Sequence, residues 1–133
     1  MIIVGPKGLV DAASFYAKKL GIDGLDVTIE IVRTKLPKPM IGACIWDEDE
    51  NVGIIELDRR GKGRKPILSV LAHEMVHIKQ YATGQMRSFG KYVVWEGKTY
   101  VEETDDQYWD SPWELEAFGR QEGLYMRWKR RGE

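Results

Sequence analysis

Apolar residues recur along this chain with two different periods, and the switches between them outline the elements. Leu9, Val10, Ala13, Tyr16, Ala17 and Leu20 keep helical spacing, and Gly21 follows as a stop. This predicts a helix over 7–20. Val27, Ile29 and Ile31 alternate with Thr28 and Glu30, a strand pattern. Residues 35–39 read as a loop around Pro37 and Pro39, 41–46 as a second strand, 47–51 as a polar turn and 52–57 as a third strand. A glycine-punctuated basic loop fills 58–65. Helical spacing returns at Pro66, which a first turn accepts, and continues to about Thr83, with Gly84 as the stop. Tyr92 to Trp95 and Thr99 to Val101 flank Glu96-Gly97-Lys98 as a hairpin. Ser111-Pro112-Trp113-Glu114 opens a last helix: serine as cap, proline in the first turn, glutamate three residues after the cap. It runs to about Trp128, with a kink or interruption expected near Gly119 or Gly123. The order predicts an α+β fold: an N-terminal helix, a small mixed or antiparallel sheet, a central helix, a hairpin and a C-terminal helix. A length of 133 residues suits one domain spanning 1–133.

The central helix carries the chemistry. Ile67, Leu68, Val70, Leu71, Ala72, Met75, Val76 and Ile78 nearly surround it, so it is expected to be buried. Polar His73, Glu74, His77 and Gln80 on such a helix need partners. His73 and His77 are the only two histidines in the chain, and positions four apart share one helical face. Two imidazoles so placed reach one metal ion, and the glutamate after the first can touch a water on it. His73-Glu74-Met75-Val76-His77 is thus the H-E-x-x-H pattern of helix-borne zinc hydrolase sites. The expected cofactor is Zn2+, with His73 and His77 as ligands and Glu74 as general base. A catalytic zinc takes three protein ligands plus water. No third histidine exists, and Cys44, the single cysteine, lies far away in sequence, so the third ligand should be a carboxylate.

Composition narrows the class. Hydrophobic residues make up 43% and charged residues 31%, an ordinary globular balance. A net charge of −1 gives no ground for nucleic-acid or membrane partners. Basic runs at 59–65 and 127–131, and acidic runs at 47–50 and 102–106, read as solvated loops and helix ends. One cysteine excludes an internal disulfide. No secretory signal or spanning segment is visible, so a cytoplasmic location is expected.

His73-Glu74-x-x-His77-x-x-Gln80, followed by Pro112-Trp113-Glu114-x-Glu116-Ala117, resembles the gluzincin metallopeptidases. It is similar to small uncharacterised metallopeptidase-like proteins of bacteriophage and bacteria. The resemblance covers roughly 66–120. It implies a zincin-like fold, peptide-bond hydrolysis, and a third zinc ligand from a glutamate on a downstream helix. That glutamate stands three residues before an alanine, as Glu114 stands before Ala117. Phe118 occupies the place where some gluzincins carry an acid. Glu116 is the rival ligand. The two lie about 200° apart around a helix, so both cannot face one ion.

The expected mechanism is attack by zinc-activated water, with Glu74 moving the proton. Tyr92, Tyr100, Tyr108 and Arg120 are candidates for a second oxyanion donor. Asp110, Glu116 or a backbone carbonyl is expected to accept from the outer nitrogens of the histidines. By resemblance, strand 52–57 lines the cleft and the substrate docks as an added strand. Trp46, Trp95, Trp109 and Trp113 are candidates for the wall of an apolar pocket, with core filling as the other role. The partner is then a peptide or protein, and the oligomeric state is open. Two other readings stand beside this one: a non-catalytic zinc-binding interaction module, and a protease acting on nucleic-acid-bound proteins.

Overall fold

A computed structural model describes residues 1–59, 66–101 and 105–132, leaving aside the side chains of 105 and 106. The basic loop and the second acidic run of the sequence fall largely outside these residues. The elements run β1 (Ile2–Val4), α1 (Lys7–Leu20), β2 (Thr28–Thr34), β3 (Gly42–Asp47), β4 (Val52–Asp58), α2 (Ile67–Ala82), β5 (Met86–Phe89), β6 (Tyr92–Trp95), β7 (Lys98–Val101), α3 (Asp105–Asp110) and α4 (Pro112–Lys129). The class is mixed α+β.

The first sheet has the order β1-β2-β4-β3; β1, β2 and β4 are parallel and β3 is antiparallel to β4. Its alternation separates two faces. Ile29 and Ile31 of β2, with Gly53, Ile55 and Leu57 of β4, are buried against α1 and α2. Beside them on β3 lie Gly42, Cys44 and Trp46, paired with Leu57, Ile55 and Gly53. Gly53 is what lets α2 lie so close to the sheet, since a Cβ there would overlap Ile78 Cδ1. The helix expected over 66–83 is therefore buried on nearly every side, as its composition implies.

The expected hairpin exists and gains a partner, β5, to make a three-stranded antiparallel sheet. Its turn uses Glu96 and Gly97 at φ 48° and 84°, the left-handed pair that two-residue hairpins need. Met86, Trp95 and Trp113 form a small separate core that fastens this sheet to α4.

Several expectations require correction. β1, β5 and α3 escape the pattern because each has six residues or fewer, too short to show a period. No break occurs at Gly119 or Gly123. α4 is continuous, and a Cβ at either glycine would meet nothing within 4 Å, so both are tolerated at modest propensity cost. Ser111 makes no side-chain cap bond; its hydroxyl donates to the Tyr108 carbonyl at 2.7 Å. Strand 52–57 does not line the cleft. As β4 it is hydrogen-bonded on both sides, and the edge strand β3 takes that place. Among the described residues no helix is long and apolar enough to cross a membrane.

Candidate metal centre

Two helices present matching stripes to each other. His73, His77 and Gln80 follow i, i+4, i+7 spacing on α2; Glu114, Phe118 and Gln121 repeat it on α4. The Nε2 atoms of His73 and His77 lie 3.0 Å and 3.1 Å from the two carboxylate oxygens of Glu114. All three residues are buried, at 8%, 7% and 6% exposure, so their polar atoms depend on one another or on a shared ion.

The outer ring nitrogens decide what that cluster is. Gln80 Oε1 lies 2.7 Å from His77 Nδ1, while Gln80 Nε2 donates to the Trp113 carbonyl and to Glu116 Oε1. Those two acceptors fix the amide's orientation. Its oxygen can only accept, so His77 donates from Nδ1. Gln121 Oε1 stands 2.7 Å from His73 Nδ1 in the same relation. With protons on both Nδ1 atoms, neutral imidazoles turn bare Nε2 lone pairs toward a carboxylate. Three electron-pair donors then meet, with ligand atoms all within 4.8 Å of one another. Such a set is stabilised by a cation at its centre, either protons on the rings or a metal. Two imidazoles and a carboxylate match the donor chemistry of zinc. His73, His77 and Glu114 can thus hold a metal ion.

The titration behaviour follows the same logic. Burial pushes the Glu114 carboxyl up, but hydrogen bonds from His73 and His77 outweigh it and hold the group at about 2. For His77, burial lowers proton affinity and the Glu114 bond overcomes it, leaving the ring raised. Glu74 is raised by its own burial, against the pull of the two histidines.

Glu74 points toward β3, on the wall of the cavity that it shares with His73, His77 and Glu114. A Cβ on Gly42 would stand 3.0 Å from Glu74 Oε2 and 2.7 Å from Val70 Cγ1, so only glycine leaves the carboxylate its room. A cavity of about 330 Å³ opens there, with Gly42, Cys44, His73, Glu74, His77 and Glu114 on its wall.

The remaining site candidates divide. Glu116 does not reach the histidines; it accepts from Lys79 at 2.9 Å and from Gln80 at 3.0 Å, and pairs with Arg120. That pairing also engages Arg120. Tyr100 packs edge-on against Trp113, and Tyr92 is exposed on the small sheet. Tyr108 lines the cavity. Asp110 and Glu116 are not the histidines' outer acceptors; Gln121 and Gln80 are. Trp113 and Trp109 line cavities beside the site, whereas Trp46 stacks on Tyr81 and Trp95 fills the small core. Sequence reasoning missed Gln121 and Tyr81. Spacing from Glu114 pointed to Gln121; no signal marked Tyr81, whose hydroxyl meets Ser88 at 3.1 Å in the cavity wall.

Comparison with family models, with curated proteins and with solved structures returns no match. Fold and site together define a mixed α+β protein carrying a buried two-histidine, one-glutamate group able to hold a metal ion.

Proposed function

We propose that this chain is a zinc-dependent peptidase of gluzincin type on a minimal zincin-like fold. The observation that supports this most is the convergence of His73, His77 and Glu114, with Glu74 of the same helical turn facing the adjoining cavity. Those three residues would hold the zinc ion, which when bound would supply Lewis acidity and lower the pKa of a water from 15.7 to about 7.

The chain's own groups do the rest. Glu74 takes a proton from the attacking water and returns it to the leaving amine, and its burial raises proton affinity in the direction that such a shuttle needs. Gln80 and Gln121 hold both imidazoles with Nε2 inward, so the donors are arranged before binding. Among the described residues β3 is an edge strand next to Glu74, on which an extended peptide docks by backbone hydrogen bonds. Tyr81 and Tyr108 border the cavity and supply candidate O–H donors for the developing oxyanion.

Metal analysis and hydrolysis of an unstructured protein such as casein test this reading together. The purified chain should carry stoichiometric zinc. Glu74→Gln should keep zinc and fold while losing at least about a hundredfold in turnover. Undiminished cleavage by that variant would remove Glu74 as the base. Stoichiometric zinc without cleavage would make the site a non-catalytic zinc module.

A further inference from the structure

A second cavity, of about 610 Å³, adjoins the first and shares Met40, Gly42, His73, Glu74 and Tyr108 with it. Besides Val70, His73 and Glu74 of α2, its walls draw on three further segments: Met40 and Ile41 before β3, Tyr108 and Trp109 on α3, and Phe118 on α4. The side chains of those three segments are largely apolar, yet several are open to solvent. Met40 and Ile41 are each 44% exposed and Trp109 is 58% exposed. Exposed apolar side chains gathered around one concavity mark a binding surface. Trp109 stacks on Phe118 at 5.2 Å between ring centroids, and Phe118 meets the His73 ring edge-on at 4.5 Å. An aromatic wall therefore runs without a break from the cavity mouth to the metal-binding imidazole. The first cavity, bordered by Ser88, Tyr81 and Cys44, has the more polar surroundings.

We infer that the Trp109–Phe118 cavity is the specificity pocket of this site, taking the bulky apolar or aromatic side chain of a peptide residue next to the cleaved bond. This rests on the peptidase reading. Continuity with Glu74 and His73 fixes the occupant: a peptide lying along β3 past Glu74 has Ile41 and Met40 at its side, and an apolar side chain enters beside them. Phe118 then has a task of its own, as the floor of the pocket.

The test uses the full zinc-loaded chain and matched peptides that differ only in Phe, Leu, Ala or Asp at one position. Cleavage should concentrate beside Phe and Leu, with kcat/KM at least about tenfold above Ala, since each buried methylene discriminates by about that factor. Trp109→Ala and, independently, Ile41→Asp, both at residues of the second cavity that do not line the first, should lower the Phe-to-Ala ratio of kcat/KM about tenfold with zinc content unchanged. Equal cleavage of all four peptides, or loss of rate with the ratio intact in both variants, would overturn the pocket assignment while leaving the peptidase reading. A parallel measurement separates the opposite case. N-acetyl-phenylalaninamide should shift the Trp109 indole N–H resonance in the metal-free chain. That shift without cleavage of any peptide would sink the peptidase reading and keep the pocket; no shift would sink the pocket.

Discussion

Glu74 and Glu114 are the same kind of residue, both buried, and their surroundings push them in opposite directions. Two imidazoles hold Glu114 ionised, at about 2, whereas burial dominates at Glu74 and raises it. In metal-free protein this has a sign. A depressed carboxyl contributes stability above its ordinary value of 4.5, and that contribution disappears as pH falls toward 2. His77, raised above 6.5, contributes below that value and loses its contribution as pH rises through its folded-state value. Denaturant unfolding of the stripped chain should therefore show stability falling at both ends of the pH range. Added Zn2+ should restore it on the alkaline side, where a metal replaces the lost ring proton. Gly42 makes a second residue-scale prediction. Gly42→Ala sets a methyl against Glu74 Oε2 and Val70, so the carboxylate must move. On the proposed mechanism, displacement by about 1 Å should cost up to about a hundredfold in kcat, with zinc content unchanged in metal analysis.

At the scale of elements, the centre is a meeting of α2 and α4 whose facing stripes are locked by two amides. Replacing Gln121 with Leu keeps most of the volume but removes the acceptor from His73 Nδ1. Zinc affinity, measured by competition with a chelator, should weaken by about 10- to 100-fold. Gln80→Leu should do at least as much, since Gln80 also ties α2 to the Trp113 carbonyl and Glu116. The seat of α2 on the sheet is equally tight. Gly53→Val forces Ile78 to shift and should destabilise by about 1–3 kcal/mol in urea unfolding. By contrast, the Arg87–Glu48 pair between the small sheet and the β3–β4 turn is half exposed on both sides, so its loss should leave the urea midpoint nearly unchanged.

Across the whole molecule, the centre joins parts of the chain that are far apart in sequence. α2 carries two donors, α4 the third, β3 the adjoining edge and α3 the lip of the second cavity. Metal removal should then be felt globally. An ion that binds only the folded chain adds about 2.7 kcal/mol at a hundred times its dissociation constant, so calorimetry should show a lower Tm after chelation.

Local pattern was enough for α1, β2, β3, β4, α2, the hairpin and α4, because long amphipathic or alternating segments carry their period in the sequence. The pair His73 and His77 was legible for the same reason: both lie within one turn of one helix. Which glutamate meets them, which amides orient them and which strand forms the edge were decided only by packing. Glu114 and Glu116 have the same chemistry, and only the rotation of α4 against α2 turns one toward the imidazoles and the other toward Lys79. β4 lies inside the sheet because β2 and β3 pair on either side of it, a long-range choice that no window of neighbouring residues encodes.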